Sequence, residues 1–222
     1  MTLAGNIIGV DESGKGDFFG PLVVAGLLAG DSDLAYLNEI GVRDSKRITD
    51  NRISAIDKLL RARFLHSVVV LMPEEYNRRY DKIRNLNVLL ADCHARVIVD
   101  AMKQGLERGV RIDLAISDKF GKKERLASAL TQIDCGLRVE QLVRGEAIPQ
   151  VAAASILARA EFVRRMQELS KEFGIDLPKG ASAQVDEVGR QFVSQLGQAA
   201  LERAAKKHFK NFQRSLTADL FR

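Results

Sequence analysis

Short apolar runs and longer amphipathic segments alternate along this chain. Apolar runs rich in β-branched residues predict five strands, over 6–10, 20–29, 66–72, 111–118 and 137–146. Apolar residues spaced three or four apart predict helices over 50–62, 87–103, 151–174 and, as one or two helices, 185–209. This alternation is typical of an α/β domain, here followed by a helical C-terminal part.

The domain organisation follows from where this pattern is interrupted. A short linker over 178–183 separates the helix that stops near Gly174 from the final helices. We therefore predict an α/β domain over 1–175 and a C-terminal helical subdomain over 176–222, packed together as one compact unit. No internal repeat or low-complexity segment interrupts either part.

The most informative segment joins the first two predicted strands. An apolar run ends in the adjacent carboxylates Asp11 and Glu12, and a turn with Gly14, Lys15 and Gly16 follows at once. Glycines allow the backbone to approach a phosphate closely, and fixed carboxylates suit a divalent cation. The combination points to a metal ion and a nucleic-acid backbone.

A nucleotide-binding P-loop is the competing interpretation of the same segment. The spacing from Gly9 to Lys15 almost matches G-x-x-x-x-G-K-[ST], but Gly16 stands where a hydroxyl should hold Mg²⁺. Asp11 and Glu12 would face the phosphates, and a second strand follows where the loop requires a helix. These departures disfavour a nucleotide triphosphatase.

Composition narrows the partners and the compartment. The 222 residues carry a net charge of +5 and a pI of about 9.3, which favours an anionic partner. The two cysteines, Cys93 and Cys135, predict neither a disulfide framework nor a thiolate zinc site, and Cys93 and His94 resemble ordinary helix residues. The chain shows neither a signal peptide nor an apolar run near the ~18 residues that span a membrane, so we expect a cytoplasmic protein without a membrane partner.

Three predicted strands end in carboxylates: Asp11 with Glu12, then Asp118, then Glu146. If these strands are neighbours in one sheet, four acids converge at one edge and repel unless cations neutralise them. Oxygen ligands suit Mg²⁺ or Mn²⁺, and two such ions would serve phosphodiester hydrolysis. The alternative is that each acid simply ends its strand facing water.

An ordered set of motifs resembles the type 2 ribonucleases H, and most of all the ribonuclease HIII branch. The opening from Gly9 to Leu22 carries the G-K-G-D-[FY]-F-G-P form of that branch. Further matching segments follow in the same order: 42–46, 85–90, 118–120, 144–146, 151–159, 177–181 and 205–211. The resemblance extends from about residue 6 to about residue 214.

The resemblance implies a fold, an activity and a set of site residues. It implies a ribonuclease H-like mixed β-sheet flanked by helices, with the helical C-terminal subdomain. It implies an endonuclease that cuts the RNA strand of RNA/DNA hybrids and leaves 5′-phosphate and 3′-hydroxyl ends. The implied metal ligands and catalytic residues are Asp11, Glu12, Asp118 and Glu146.

The resemblance also suggests residues that contact the substrate. Gly14, Lys15 and Gly16 resemble a loop that reads the ribose 2′-hydroxyl, which distinguishes RNA from DNA. Four further residues are candidates for backbone contacts: Ser45, Lys46, Asn87 and Ser155. Each of these has a structural alternative: Ser45 and Lys46 as the approach to a helix, Asn87 as a helix start, Ser155 as a small packing residue.

The final predicted helices are rich in basic residues. Their cations, which would bind phosphates in a salt-dependent way, are Arg203, Lys206, Lys207, His208, Lys210 and Arg214. The alternative is a solvated amphipathic helix, and we place Phe209 and Phe212 in the core.

Two departures from the family pattern refine the expectation. The first strand begins within ten residues of Met1, so we expect no N-terminal substrate-binding domain and weaker binding of hybrids. Ribonuclease HII uses a tyrosine in the C-terminal half to sense a DNA–RNA–DNA junction, whereas the tyrosines here are Tyr36, Tyr76 and Tyr80. Incision at single embedded ribonucleotides and a non-catalytic nucleic-acid-binding relative remain the alternatives. We expect a monomer without an obligate protein partner.

Overall fold

The computed structural model describes residues 5–43, 45, 48–132 and 136–217. The strands within these ranges are β1 Ile7–Ser13, β2 Leu22–Ala29, β3 Leu65–Leu71, β4 Leu114–Asp118 and β5 Val139–Leu142. The helices are α1 Leu34–Glu39, α2 Asp50–Arg63, α3 Pro73–Ile83, α4 Leu86–Glu107, α5 Lys123–Gln132, α6 Pro149–Phe173, α7 Ala183–Ala204 and α8 Lys210–Leu216. Short 3₁₀ turns cover Asp31–Asp33 and Gly145–Ala147.

The strands form one mixed sheet in the order β3-β2-β1-β4-β5. β1 pairs with β4 in parallel, with Val10 opposite Ser117, and β4 pairs in parallel with β5, with Asp118 opposite Leu142. The carboxyl ends of these three strands therefore meet at one edge of the sheet. The predicted α/β class is confirmed.

Helix α3 was not predicted from the sequence, and its composition explains why. It begins with Pro73 at its first turn, where the missing N–H costs nothing, although Pro73 also marks the end of β3. Glu75 forms ion pairs with Arg78 and Arg79 along its exposed side. Such a helix, mostly charged, gives little apolar periodicity. The short helices α1 and α5 were not predicted either.

Other predicted boundaries shift by a few residues. β1 extends through Asp11 and Glu12, so both carboxylates lie in the strand itself. β5 is short, and Glu146 lies beyond it in a 3₁₀ turn rather than at a strand end. The C-terminal helical segment is interrupted at Gly197, whose φ of 80° lies in the left-handed region.

The chain divides into two compact units. The first comprises 1–13, 24–69 and 85–160, and the second comprises 14–23, 70–84 and 161–222. The second unit thus includes two segments from early in the chain. A single boundary in the sequence cannot separate the two units, because each is built from several segments. The division at 175, with the two parts packed as one compact unit, stays a prediction.

The core of the first unit lies where the sheet meets α6. It is built on buried Ile7, Leu114, Ile116 and Val151. Gly9 has no side chain because a Cβ there would lie 2.1 Å from the carbonyl carbon of Gln150. The first turns of α6 therefore pack directly on β1, close to the residues that follow Gly9.

The core of the second unit is aromatic. The Phe192 ring lies 6.2 Å from Phe19 and 5.1 Å from Phe173, and Phe212 is buried, as the sequence predicted. Phe209 is only half-buried, with its ring edge-on to His208 at 4.6 Å. In the described ranges, every helix is too short or too polar to cross a membrane.

Candidate active site

Asp11 and Asp118 lie side by side at the carboxyl ends of β1 and β4. Val10 is opposite Ser117 in the parallel register, so the next residue on each strand carries a carboxylate. The two charges act on each other, because the charge of Asp118 contributes to the raised pKa of Asp11. The structure thus brings Asp11, Glu12 and Asp118 together.

Asp11 is the most perturbed acid of the site. Burial, and after it the negative charges of Glu12 and Asp118, raise the pKa of the Asp11 carboxyl to about 7. Two hydrogen bonds oppose this effect: the Glu12 amide donates to Asp11 Oδ1 at 2.8 Å, and the Ser155 hydroxyl donates as well. Asp11 is thereby held in one orientation while its ionised form stays unfavourable.

Ser155 and Ser45 form a buried pair behind Asp11. Their hydroxyl oxygens are 2.6 Å apart, and both side chains are buried. The Ser155 hydroxyl also bonds to Asp11, so α6 reaches the carboxylate one turn beyond its contact with Gly9. The contacts of both serines are thus within the protein. Lys46 lies outside the described residues.

His94 connects the two strands that carry the carboxylates. Its Nε2 lies 3.2 Å from Glu12 Oε2, and its Nδ1 lies 3.0 Å from the Ser117 hydroxyl. That hydroxyl is also 2.8 Å from the backbone oxygen of Asp118. A proton on Nε2 lets the ring donate to Glu12, whereas the Ser117 hydroxyl has one proton and donates it either to Nδ1 or to the Asp118 oxygen.

Treating His94 as an ordinary helix residue was therefore wrong. The ring is completely buried, and Phe120 packs against it with ring centroids 4.3 Å apart. A signal was available: His94 is in phase with Leu90, Val97 and Ala101 on the apolar face of α4. A buried polar ring requires partners, and these turn out to be site residues. Cys93 is buried.

The residue before Glu146 binds Asp118 through its backbone. The Gly145 amide donates to Asp118 Oδ1 at 2.8 Å, and a Cβ on Gly145 would lie 3.0 Å from the Asp118 Cα. Arg144 reaches this turn through a left-handed φ of 59°. The turn leaves Glu146 half-buried, next in the chain to the amide that holds Asp118.

The chemistry of these donors fits a divalent cation. All four are carboxylates, and cations would relieve the repulsion that helps to raise the pKa of Asp11. Across the described ranges, however, no three acids, histidines or cysteines already stand as a ligand set. One oxygen of Asp118 is also occupied by the Gly145 amide.

The loop with Gly14, Lys15 and Gly16 belongs to the second unit. Gly14 has a φ of 87°, and a Cβ there would lie 2.1 Å from the carbonyl oxygen of Pro21. Gly16 is exposed and faces open space. Asp17 fixes the end of the loop, because its Oδ1 accepts from the Gly180 amide at 2.7 Å. The loop therefore has a rigid base and an accessible tip.

Lys206 does not bind phosphate, contrary to the sequence prediction. It is completely buried, and its Nζ donates to the backbone oxygens of Asp17 at 2.8 Å and Gly20 at 2.7 Å. Burial lowers its pKa to about 7, while the charge of Asp17 opposes that shift. Lys206 thus holds the glycine loop from inside the second unit.

Most of the other C-terminal cations are also paired. Arg203 pairs with Glu172, Arg214 Nη1 with Asp186 Oδ2 at 3.1 Å, and Lys207 Nζ with Glu202 Oε2 at 3.5 Å. The predicted basic helix is therefore largely neutralised, and Lys210 remains exposed.

His208 belongs to an aromatic stack rather than to a set of cations. Its ring stacks on Tyr80 at 4.4 Å and on Tyr76 at 5.5 Å. His208 is partly exposed, and desolvation on its stacked side lowers its pKa to about 4, with the charge of Lys206 acting in the same direction. It is therefore neutral at physiological pH.

Asn87 is not the residue that caps α4. That cap is Asn85, whose side chain accepts from the backbone amides of Asn87 and Val88. With its side-chain oxygen and nitrogen assigned so that both find partners, Asn87 instead donates to the Phe120 carbonyl oxygen at 3.0 Å and accepts from Arg125 Nη1 at 3.1 Å. It thus joins α4 to the segment that follows Asp118.

Sequence comparisons agree with the motifs. The family model for Ribonuclease HII matches residues 8–212. Ribonuclease HIII of Chlamydia felis is 44% identical over 207 residues, which cover 92% of this chain and 68% of that protein. Ribonuclease HIII of Protochlamydia amoebophila is 37% identical over 203 residues, covering 91% of this chain and 66% of that protein.

Solved structures agree as well. Bst-RNase HIII in complex with Mn²⁺ is similar with a TM-score of 0.91 at 34% identity, covering 99% of this chain and 71% of that one. Aquifex aeolicus RNase H3 has a TM-score of 0.72 at 30% identity, covering 93% of this chain and 72% of that one. The chain therefore belongs to the ribonuclease HII family, within which it resembles ribonuclease HIII, and it is a ribonuclease H.

Proposed function

We propose that this protein is a divalent-metal-dependent endonuclease that hydrolyses the RNA strand of RNA/DNA hybrids, leaving 5′-phosphate and 3′-hydroxyl ends. The observation that carries the proposal is the convergence of Asp11, Glu12 and Asp118 at the carboxyl ends of β1 and β4. Ionised Asp11 beside two further acids is energetically unfavourable in the absence of a cation. Groups with strongly shifted pKa values of this kind cluster at functional sites.

In this proposal Asp11, Glu12, Asp118 and Glu146 hold Mg²⁺ or Mn²⁺, and two ions are the expected number. When bound, the ions supply Lewis acidity and offset the charge that develops on the phosphate. The Mn²⁺ complex of Bst-RNase HIII supports this choice of cation. Since no ligand set of three is preformed among the described acids, the carboxylates would close around the ions as these bind.

The protein side of the chemistry is positioning. Asp11 is fixed by the Glu12 amide and the Ser155 hydroxyl, Asp118 by the Gly145 amide, and Glu12 by His94. A carboxylate oxygen has two lone pairs, so accepting one hydrogen bond does not prevent it from binding a cation. Groups held in this way need little reorganisation when a substrate phosphate arrives.

The glycine loop is proposed to read the ribose. The open space around Gly16 allows a sugar to approach the backbone, and the 2′-hydroxyl is the group that identifies RNA. Lys15 is proposed to contact a phosphate. Ser45, Lys46 and Ser155 remain proposed backbone contacts, although in the structure the described serines support Asp11.

The proposed partner is the RNA/DNA hybrid itself. We further propose that the protein works as a monomer in the cytoplasm without an obligate protein partner. The RNase HII of Archaeoglobus fulgidus has been solved in a complex with PCNA, so protein partners do occur in the family.

Cleavage of an end-labelled hybrid tests the proposal. The protein should cut the RNA strand in Mg²⁺ or Mn²⁺ and should leave an all-DNA duplex of the same sequence intact. Excess EDTA should abolish cutting. Phosphatase should remove a phosphate from each newly formed 5′ end. Binding of the hybrid without cutting in either metal would favour the non-catalytic alternative.

A further inference from the structure

A groove in the first unit lies directly beside Asp118. It has a volume of about 960 Å³ and is lined by Asn87, 119–122, Glu124, Arg125, Gln141 and Val143. We infer that this basic groove, as we call these residues, binds a backbone phosphodiester of the nucleic-acid substrate next to the scissile position. The inference rests on the proposed function, since the groove would extend the site of that reaction.

The position of the basic groove follows from the sheet. Lys119 is the residue after Asp118, and its amide donates to the Leu142 carbonyl oxygen at 3.0 Å. Val143, which follows β5, is 71% exposed on the same edge. The groove therefore begins where β4 and β5 end, at the edge of the sheet that carries the catalytic carboxylates.

The basic groove carries an excess of positive charge. Lys119, Lys122 and Arg125 face a single acid, Glu124. Among the residues that the structure describes, none of the three cations forms an ion pair, unlike Arg203 and Arg214 of the second unit. Lys119 and Lys122 are exposed, so they are available to an anion.

The side chain of Gln141 provides a second, independent observation that points to a ligand in the basic groove. Its side-chain Nε2 and Oε1 are both buried, and neither has a hydrogen-bond partner within the described ranges. Buried amides are nearly always hydrogen-bonded, so an orphaned one marks a place where a partner is missing. The lining of the basic groove therefore contains an amide whose hydrogen-bonding capacity the described residues do not use.

The floor of the basic groove is fixed in advance. The Asn87 amide orients Arg125 and also bonds to the Phe120 carbonyl oxygen. The Phe120 ring packs on His94, which contacts Glu12. A phosphodiester held here would therefore be placed by the same framework that places the carboxylates.

A nucleic-acid backbone fits the basic groove better than a mononucleotide does. Its one aromatic lining residue, Phe120, is only 6% exposed, so no open ring face offers stacking to a base. Exposed lysines contact phosphates as point charges without reading sequence. The groove is accordingly expected to position the duplex rather than to select bases.

Binding and cleavage by Lys119→Ala, Lys122→Ala and the double variant test this inference. Metal-free binding of a fluorescent hybrid is measured by anisotropy across a salt series, and steady-state cleavage is measured in parallel. Each lysine removed should lower the slope of log Kd against log salt by about 1. The double variant should raise Kd and KM roughly tenfold, with kcat within about twofold, because backbone contacts contribute uniform binding.

Lys58→Ala is the matched control, since it removes an exposed lysine from α2 in the same unit. It should leave the salt slope and KM at their wild-type values. Gln141→Leu should raise Kd without changing the salt slope, because it removes a hydrogen-bonding group and no charge.

Two results would overturn the inference. A double variant with the Kd, salt slope and KM of the wild type would show that the lysines do not contact the substrate. A loss of binding equal to that of Lys58→Ala would show only an effect of net charge. Both results are distinct from failure of the proposed function, which would appear as a wild-type protein that cannot cut the hybrid.

Discussion

His94 Nε2 lies 3.2 Å from Glu12 Oε2, and its ring is completely buried behind the carboxylate. The other ring nitrogen contacts Ser117, the residue before Asp118. A single side chain from α4 thus spans the two strands that carry the proposed metal ligands. Hydrogen bonds to ligating groups set their orientation and their basicity.

Removal of the His94 imidazole should weaken metal binding. We expect His94→Leu to raise the Mn²⁺ concentration for half-maximal activity by roughly 10–100-fold, because Glu12 loses its donor. Mn²⁺ binding measured by calorimetry without substrate should weaken in parallel. His94→Gln keeps an N–H donor and should restore part of the affinity. A loss of thermal stability in EDTA with unchanged Mn²⁺ affinity would mean that His94 is only a core residue.

The ionised Asp11 carboxylate should destabilise the metal-free protein. Its carboxylate is largely buried beside two acids, and each unit of its raised pKa corresponds to about 1.4 kcal/mol. Asp11→Asn should therefore increase the free energy of unfolding of the metal-free protein at pH 8 by about 1 kcal/mol or more. Urea unfolding in EDTA measures this difference. A less stable variant would contradict the account of mutual repulsion.

Lys206 should make stability depend on pH in a defined direction. Its pKa is about 7 in the folded protein and near 10.5 when unfolded. Between these values the unfolded chain holds a proton that the folded protein has lost, so the free energy of unfolding rises with pH. Below about pH 7 this contribution is flat. The increase is at most about 1.4 kcal/mol per pH unit.

The difference between wild type and Lys206→Met isolates this contribution. The difference in unfolding free energy should grow from pH 7 to pH 9, measured by urea unfolding. At every pH the variant should also lose roughly 1–3 kcal/mol, because two backbone oxygens lose their donor. Lys207→Met, next in the chain and half-exposed, should show neither effect. If the difference in unfolding free energy between wild type and Lys206→Met fell as the pH rose, the assignment of a buried, neutral Lys206 amine would be contradicted.

Substrate choice should follow the absence of a C-terminal tyrosine. The three tyrosines, Tyr36, Tyr76 and Tyr80, all lie in the first half of the chain. Tyr76 is buried, and Tyr80 stacks on His208. We expect efficient cutting within runs of ribonucleotides and poor incision at a single ribonucleotide embedded in DNA. End-labelled duplexes of both kinds provide the comparison. Comparable rates on the two duplexes would contradict this expectation.

Much of the fold could be predicted because local pattern and tertiary structure agree. β1, α4 and α6 have strong apolar periodicity, and their boundaries were predicted to within a few residues. Helix α3 was missed because it is mostly charged and carries ion pairs rather than an apolar stripe. Helices α1 and α5 were missed because they are short, with 6 and 10 residues. The sheet order depends on pairing between distant strands, which no local pattern encodes.

The candidate site shows the same division. The four acids could be named from motifs, whereas the contacts around them could not. Lys206 looked like a phosphate ligand because a lysine in a basic helix is usually solvated, and only tertiary structure shows it bonded to the backbone of Asp17 and Gly20. Gln141 gave no sequence signal, since its missing hydrogen-bond partners become visible only in the folded chain.

Cleavage of an RNA/DNA hybrid by wild type and by Asp11→Asn, in Mg²⁺ and in Mn²⁺, tests the central claim most directly. Asp176→Asn removes an exposed acid of the second unit and is the matched control. We predict that wild type and Asp176→Asn cut the RNA strand alike, and that Asp11→Asn loses at least about a hundredfold in rate while still binding the hybrid. Cutting by Asp11→Asn at the wild-type rate would contradict the assignment of this carboxylate and, with it, the proposed metal site.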